Sequence, residues 1–289
     1  MPSNEQRRQA AKRKLERQLE RRAERARKRK QMTIVYTAAG VVVAIAVVAG
    51  IVLLTRGDDS STENTAEDAT PTSEQTAAAM PAGLLTPLAD TVSCSYTPAG
   101  TAAKPSNLPN TDGIPTTAPD ATPSISMETS QGNIGLILDG TKSPCTVNSF
   151  VSLAGQNYFD ATTCHRLTTS PSLEVLQCGD PTGTGSGGPG YQFDNEYPTT
   201  AFDAADPAAQ LPVTYSRGTI AMANAGAGTN GSQFFLVYGD SQLPPNYTVF
   251  GTIDETGLAT LDKIAAGGST PEGDGTPNLT TDIKTVRID

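Results

Sequence analysis

The chain has 289 residues, of which 37% are hydrophobic, and it contains 21 Lys and Arg, 30 Asp and Glu and one His. This length suggests one or two domains, and the 27 Gly and 21 Pro residues indicate that part of the chain lies outside a packed core. The single histidine excludes His-rich metal centres and restricts any Ser-His-Asp triad to the surroundings of His165.

Charge is divided very unevenly along the chain. Residues 1–31 carry 13 Lys and Arg against four Glu, a net charge of +9, whereas the remaining 258 residues carry eight against 26, a net charge of −18. Such a basic arm on an acidic body indicates either an interaction tail or a topology signal. Nucleic-acid binding by the arm is the alternative that we set aside, because membrane topology explains the charge more simply.

An uncharged apolar run of twenty-two residues, 33–54, follows the basic arm. At about 1.5 Å per residue it would span roughly 33 Å as a helix, enough for a bilayer core of about 30 Å. The positive-inside rule then places residues 1–32 in the cytoplasm and the rest outside the cell membrane. A cleaved signal peptide would have a shorter apolar region, and a buried core helix is the other alternative. We therefore predict a single-pass anchor.

Two segments of different composition lie between this run and the folded unit. Residues 55–83 are acidic and low in complexity, which predicts a disordered stalk. Residues 84–123 remain rich in Pro and Thr but include Val92, Cys94 and Tyr96. We therefore expect an extended pre-domain segment held against the domain that follows it.

Residues 124–289 show the patterns of a mostly β domain. Alternating apolar residues from Ile125 to Leu138 predict a hairpin with its turn at residues 131–133, and helical spacing predicts helices over 144–154 and 258–265. Further short strands are predicted at 164–167, 175–178, 218–224, 232–238, 248–253 and 283–288. This set indicates a closed β-barrel capped by two helices.

Four cysteines lie on the side of the anchor predicted to be oxidising, so disulfides are expected. Cys164 and Cys178 flank the arms of a predicted hairpin and are paired on that basis, which leaves Cys94 to pair with Cys145. Three connectivities are possible in principle, and buried free thiols are the alternative. No CxxC occurs, so we predict no zinc site and no other metal.

Three motifs carry the functional signal: His165-Arg166, Gln177-Cys-Gly-Asp180, and the run MANAGAGTNGSQFF that ends at Phe235. Together with Val249-Phe-Gly251 in the expected order, these motifs resemble the core signature of cyclophilin-type peptidyl-prolyl cis-trans isomerases. The resemblance covers residues 124–289. It implies a closed antiparallel eight-stranded barrel with two capping helices. The GxGxxG match at 183–188 is an alternative dinucleotide signal, but no helix is predicted to follow it.

The resemblance also implies a non-covalent mechanism that needs no cofactor. Rotation about an X–Pro bond must overcome a barrier of about 20 kcal/mol. A fixed guanidinium beside the twisted amide nitrogen would stabilise the transition state. The resemblance assigns this guanidinium to Arg166, and it gives catalytic roles also to Gln177, Asn224 and Phe235. The implied substrate-binding residues are Val175, Ala223, Gln233, Leu243 and Tyr247. The resemblance assigns Phe235 and Leu243 to the walls of an apolar cup for the proline ring, and Asn224 to a hydrogen bond with the peptide backbone before the proline.

The sequence departs from the family pattern at the proline cup. Ten residues separate Arg166 from Gln177, more than is usual, and Glu174 and Val175 fall where the family has an aromatic residue and Met. Tyr247 stands where the family usually has His. We therefore expect one wall of the cup to be altered.

The sequence as a whole predicts a membrane-anchored bacterial isomerase that acts on X–Pro bonds in proline-containing segments of exported or envelope proteins. The alternative is a proline-peptide-binding module or holdase chaperone with weak or no isomerase activity. A scaffold in which the isomerase fold is incidental is a third hypothesis.

Overall fold

The computed structural model describes residues 77–203 and 205–289. The predicted cytoplasmic arm (1–32), the predicted membrane helix (33–54) and most of the predicted stalk lie outside these residues. Among the residues that are described, no helix is both long enough and apolar enough to span a bilayer.

The described chain consists mainly of short strands, with two α-helices and two 3₁₀ turns at Thr199–Ala201 and Pro207–Gln210. In chain order the elements are β1 (Ala78–Ala79), β2 (Thr91–Val92), β3 (Thr97–Pro98), β4 (Ile114–Pro115), β5 (Ser124–Thr129), β6 (Asn133–Leu138), α1 (Pro144–Gly155), β7 (Thr162–Thr163), β8 (Arg166–Ser170), β9 (Leu173–Cys178), β10 (Tyr191–Gln192), β11 (Val213–Tyr215), β12 (Thr219–Met222), β13 (Phe234–Gly239), β14 (Ser241–Leu243), β15 (Val249–Ile253), α2 (Glu255–Ala266), β16 (Ser269–Thr270), β17 (Asp274–Pro277) and β18 (Asp282–Ile288).

The main sheet has eleven strands in the order β16-β17-β8-β9-β13-β12-β15-β6-β5-β18-β7. The mostly β class and the antiparallel pairing are as predicted, but the prediction of a closed barrel of eight strands is wrong, because this sheet has two ends. The backbone hydrogen bonding switches from one neighbouring segment to another between residues 164 and 165. The N–H of Cys164 donates to the carbonyl of Thr281, whereas the N–H of His165 donates to the carbonyl of Gln177. Of the predicted strand 164–167, residues 164 and 165 therefore lie between β7 and β8, and only residues 166 and 167 belong to a strand, β8. The β16–β17 hairpin extends the sheet.

The hairpin and the two helices match their predictions closely. Strands β5 and β6 bury alternate residues and pair Ile125 with Leu136. Helix α1 ends at Gly155 and buries Phe150, whose ring lies 4.9–5.4 Å from those of three core phenylalanines. Helix α2 begins three residues earlier than predicted, since the Asp254 carboxylate accepts the N–H of Gly257 and caps the helix.

The pre-domain segment is attached to the domain by covalent and polar contacts. The structure contains both predicted disulfides, Cys94–Cys145 and Cys164–Cys178. The buried Tyr96 donates its hydroxyl proton to the carbonyl of Cys145 at 2.8 Å. The segment therefore reaches the start of α1 and adds Cys94 and Tyr96 to the main apolar core.

Part of the predicted stalk belongs to the folded region. Ala78 and Ala79 form β1, which pairs in parallel with β11, and the Tyr197 hydroxyl donates to the carbonyl of Pro81. Met80 packs against a second apolar cluster, on the sheet face opposite to the main apolar core. The large apolar side chain of Met80 lets this part of the predicted stalk pack against the domain. Contacts with the folded domain therefore begin before residue 83, where the stalk was predicted to end.

Candidate active site

Three neighbouring strands place a row of the predicted site residues on one face of the sheet. Arg166 on β8 lies opposite Gln177 on β9, and Gln177 lies opposite Phe235 on β13. Directly opposed residues in antiparallel strands direct their side chains to the same face. The register thus brings together a cation, an amide and an aromatic ring.

A chain of hydrogen bonds fixes the guanidinium of Arg166. Its Nε and Nη2 donate to the two carboxylate oxygens of Asp274 at 2.7 and 2.8 Å, and its Nη1 donates to Oε1 of Gln177 at 3.2 Å. The Gln177 amide donates to Oε1 of Gln233 at 2.9 Å, and Gln233 donates to two carbonyls of the glycine-rich loop 183–190. Arginine carries five N–H donors, so one N–H on each terminal nitrogen of Arg166 remains for another acceptor.

Asp274 was not predicted as part of the site. It lies on β17, and its sequence context is only a short glycine-rich turn. Its hydrogen bonds to Arg166 lower the pKa of Asp274, and the same contact raises the pKa of Arg166. Because the two side chains are 38% and 57% exposed, the pair itself contributes only about 0–1 kcal/mol to stability. Its main effect is to orient the guanidinium.

The apolar residues predicted to bind the substrate, including Phe235 and Leu243 of the proline cup, belong to one apolar cluster. Phe235 and Val175 are buried, and Ala223, Leu243 and Tyr247 are partly buried against the same cluster. The rings of Phe235 and Tyr247 meet edge to face with their centroids 5.8 Å apart. The sequence-predicted apolar contacts are therefore brought together.

Tyr215 supports this cluster and was missed by the sequence reasoning. It is fully buried, and its ring centroid lies 6.3 Å from that of Phe235. Its hydroxyl donates to the carbonyl of Tyr247 at 3.0 Å, which fixes the backbone that carries the Tyr247 ring. By contrast, Phe234 faces the main apolar core and packs against Phe150, as strand alternation predicts.

Asn224 and Glu174 differ from what the resemblance implies. The Asn224 amide donates to the carbonyl of Asn246 at 2.8 Å, and its Oδ1 accepts the N–H of Gly226 at 3.1 Å, so the side chain is engaged within the protein. Glu174 lies over Gly239 and on the face opposite to Val175. The acidic residue thus does not replace a wall of the cup.

The buried carboxylate of Asp180 organises the glycine-rich loop that follows β9. It is fully buried and accepts four backbone N–H groups at 2.7–3.2 Å, those of Thr182, Thr184, Ser186 and Gly187. Burial alone would raise the pKa of this carboxyl, but the backbone donors outweigh burial and the pKa is lowered. Strand β10 follows this loop, so the GxGxxG match has no helix to bind a dinucleotide.

His165 is packed under this loop. Both of its ring nitrogens are buried and lack a hydrogen-bond partner among the described residues. Burial lowers the pKa of His165, which favours the neutral ring. Within residues 77–203 and 205–289 its nitrogens thus engage no serine or aspartate, and a Ser-His-Asp triad is not formed there.

The described residues contain no group of three or more His, Cys, Asp and Glu side chains arranged to hold a metal ion. What the site offers instead is a fixed cation with two unused N–H donors beside an apolar cluster. Such a site can bind a peptide and stabilise a change in its electronic structure without forming a bond to it.

Comparison with known proteins gives a consistent family assignment. A family model described as cyclophilin type peptidyl-prolyl cis-trans isomerase/CLD matches residues 124–288. The chain is 61% identical over 198 residues to a probable peptidyl-prolyl cis-trans isomerase B of Mycobacterium tuberculosis, with 68% of this chain and 64% of that protein covered. It is 60% identical over 200 residues to the protein of the same name from Mycobacterium leprae, covering 68% of this chain and 67% of that protein.

A solved structure of a Cryptosporidium parvum cyclophilin type isomerase is 27% identical, with a TM-score of 0.46, covering 58% of this chain and 98% of that one. The match to the M. tuberculosis relative spans slightly less than two thirds of that protein. The family model by itself covers more than half of the chain. The chain therefore belongs to the family of cyclophilin-type peptidyl-prolyl cis-trans isomerases.

Proposed function

We propose that this protein catalyses cis-trans isomerisation of X–Pro bonds in peptide segments of exported or envelope proteins. The observation that carries the proposal is the Arg166 guanidinium, held by Asp274 and Gln177 on the same sheet face as Phe235. Family membership and the mycobacterial relatives named as isomerases support the same activity.

The mechanism that we infer uses only binding and electrostatics. The apolar cluster around Phe235 holds the proline ring, and an unused N–H of Arg166 donates to the proline nitrogen as the amide twists and that nitrogen becomes basic. This interaction is stronger in the transition state than in the planar ground state, which is what accelerates a reaction. Lowering the barrier by about 5–7 kcal/mol would give roughly 10⁴–10⁵-fold acceleration.

Peptide exchange spectroscopy by NMR tests this activity directly on the full-length chain. We expect catalysed exchange of a short X–Pro peptide, and Arg166→Ala should reduce it by about 100-fold or more, the usual loss for an electrostatic transition-state donor. Arg166→Lys should recover only part of the rate, because a point charge lacks the rigid fork.

The chain offers a well-matched control in Arg217. This arginine also forms a two-point ion pair, with Asp262, and its side chain is 37% exposed against 38% for Arg166. Arg217→Ala should leave exchange unchanged. Exchange that survives Arg166→Ala would contradict the mechanism, and peptide binding without any exchange would indicate the proline-peptide-binding module or holdase instead.

We also propose that residues 33–54 anchor the protein in the cell membrane, with the N-terminus in the cytoplasm and the isomerase domain outside. The uncharged run and the basic residues before it support this arrangement. Protease treatment of intact cells with the outer layers removed should digest the domain and protect residues 1–32. Protection of the domain would contradict the orientation.

A further inference from the structure

The glycine-rich loop 183–190 lies between the polar side chains of the candidate site and the pre-domain segment. On one side, the carbonyls of Gly185 and Gly187 each accept the side-chain amide of Gln233 at 3.0 Å. On the other side, three consecutive carbonyls accept hydrogen bonds from the pre-domain segment: Gly188 from the N–H of Ala103 at 2.8 Å, Pro189 from the hydroxyl of Ser106 at 2.8 Å, and Gly190 from the N–H of Ala99 at 2.9 Å. These three donors lie outside the region 124–288 that the family model matches.

The composition of the loop explains why contacts from outside it matter. Five of its eight residues are glycine, and glycine loses more conformational freedom than any other residue when it is ordered. The carboxylate of Asp180 holds the loop through N–H groups at residues 184, 186 and 187. The pre-domain segment holds it through the carbonyls of residues 188–190. The segment also packs closely on the loop, since a Cβ atom at Gly190 would lie only 3.1 Å from the Cβ of Ala102.

The pre-domain segment has its own attachments to the domain, which fix the three donors in place. The ammonium group of Lys104 donates to three backbone carbonyls at 2.7–3.1 Å, all in the segment 157–160 that follows α1. Upstream, the Cys94–Cys145 disulfide supplies a covalent attachment. The loop is therefore held by a part of the chain that is itself anchored to the domain at two places.

Two amide side chains connect the loop to the guanidinium. Once the loop carbonyls have oriented the Gln233 amide, its Oε1 accepts the Gln177 amide at 2.9 Å. Oε1 of Gln177 in turn accepts Nη1 of Arg166 at 3.2 Å. A rotation of the Gln233 amide would turn its oxygen away from Gln177 and leave Nη1 of Arg166 without this support. A displacement of the loop carbonyls therefore reaches the guanidinium.

We propose that the pre-domain segment positions the Arg166 guanidinium for catalysis, and that Ser106 is a positioning residue in it. Ser106 acts through the glycine-rich loop and the two amides of Gln233 and Gln177. This inference rests on the proposed isomerase function and deepens it, because full activity then requires a part of the chain that lies outside the family domain.

The test measures kcat and KM separately, by NMR line-shape analysis of one X–Pro peptide with the full-length protein. Ser106→Ala removes only the hydroxyl and should lower kcat about threefold, with KM changed by less than about twofold. The loss is smaller than the roughly fivefold effect of one whole hydrogen bond, because the N–H groups of Ala99 and Ala103 still hold the loop. A change in KM with kcat unaffected would overturn the proposal.

Two control variants remove other hydroxyl hydrogen bonds of the same segment. Ser93→Ala is the identical substitution at a serine whose hydroxyl donates to Asp112 at 2.8 Å. Thr116→Val removes the hydroxyl that donates to the carbonyl of Ala89 at 2.6 Å. Both controls should leave kcat unchanged. An equal loss of kcat in the controls would assign the effect to the general stability of the segment and overturn the role of Ser106.

A double-mutant cycle tests the route from Ser106 to the guanidinium. If Ser106 acts through the Gln233 amide, Ser106→Ala should change kcat by less than about 1.5-fold when Gln233→Met is already present. A threefold loss in both backgrounds would show that the effect does not pass through Gln233, which would overturn the proposed route.

The mobility of the guanidinium gives a readout that does not depend on turnover. The ¹⁵N NOE at Nε of Arg166 should fall in Ser106→Ala, whereas that of Arg217, which forms a two-point ion pair with Asp262, should stay unchanged. An unchanged kcat in Ser106→Ala would overturn the positioning role while the isomerase function stands. If the wild type isomerises no peptide, a lower NOE at Arg166 alone supports the positioning of the guanidinium and refutes the isomerase, and an unchanged NOE refutes both.

Discussion

The buried carboxylate of Asp180 gives the sharpest stability prediction. It accepts the backbone N–H group of Thr182, three N–H groups of the glycine-rich loop and the hydroxyl proton of Thr182. A hydrogen bond to a charged group makes a net contribution of about 1.5–3 kcal/mol to stability. Water can reach much of this exposed loop and would replace some of them. We therefore expect Asp180→Ala to lower the free energy of unfolding by about 3 kcal/mol, the value of one to two such bonds.

Thermal unfolding of the full-length chain measures this effect. For a folded region of this size, 1 kcal/mol corresponds to about 2–4 °C in Tm, so the melting temperature of Asp180→Ala should fall by about 6–12 °C. Asp120 is exposed, and Asp120→Ala is the control expected to change Tm by less than about 2 °C. If Asp180→Ala also lowered Tm by less than about 2 °C, the proposed role of the carboxylate in holding the loop would be refuted.

The pH dependence of this stabilisation follows from the lowered pKa of Asp180 in the wild-type protein. A carboxyl whose pKa is lower in the folded than in the unfolded protein stabilises the fold above the unfolded pKa of about 3.9 and loses this contribution as the pH falls through the folded pKa. The difference in stability between the wild type and Asp180→Asn should therefore be constant near neutral pH and shrink below about pH 4. A difference that grows on acidification would contradict the assignment.

Three other predictions follow from contacts made elsewhere in the fold. Asp274→Asn should lower kcat about tenfold with little change in KM, because Arg166 loses its two-point partner, and unchanged kinetics would show that Gln177 suffices to orient the guanidinium. Glu196 accepts the N–H groups of Cys145 and Thr146 at the start of α1, so Glu196→Ala should cost about 1–2 kcal/mol in urea unfolding, and Glu196→Gln should cost less. Removing the Cys94–Cys145 disulfide, which closes a separation of 51 residues, by a double substitution to Ala should cost about 4 kcal/mol on the chain-entropy model. If the free energy of unfolding fell by less than about 1 kcal/mol, the hydrogen bonds that Tyr96 and Lys104 donate to backbone carbonyls of the domain would be enough to hold the pre-domain segment.

Much of the domain was predictable because its signals are local. Alternation of apolar residues defined the β5–β6 hairpin, and helical spacing with Gly155 at its end defined α1. The run from Met222 to Phe235 is specific enough to indicate the family and, through it, the residues of the candidate site. The pairing of Cys164 with Cys178 also followed from local order, since the two residues flank one predicted hairpin.

The predicted site residues come together only through the register of the strands, and register is not a local property of the sequence. Arg166, Gln177 and Phe235 share a face only because β8, β9 and β13 are adjacent and aligned. A shift by one residue would move Phe235 to the other face. The sequence motif named these three residues, but their arrangement depends on the ladder.

The contacts that the sequence did not reveal link segments far apart in the chain. Asp274 meets Arg166 across 108 positions, and Glu196 caps a helix that begins 52 residues earlier. One cleft is lined both by Gln177 and by residues 99–101, although the composition of residues 99–101 indicates only an extended segment. Composition and periodicity determine which residues form strands, helices or loops, whereas the choice of a distant partner depends on the burial and hydrogen bonding of the whole chain, which only the tertiary structure decides.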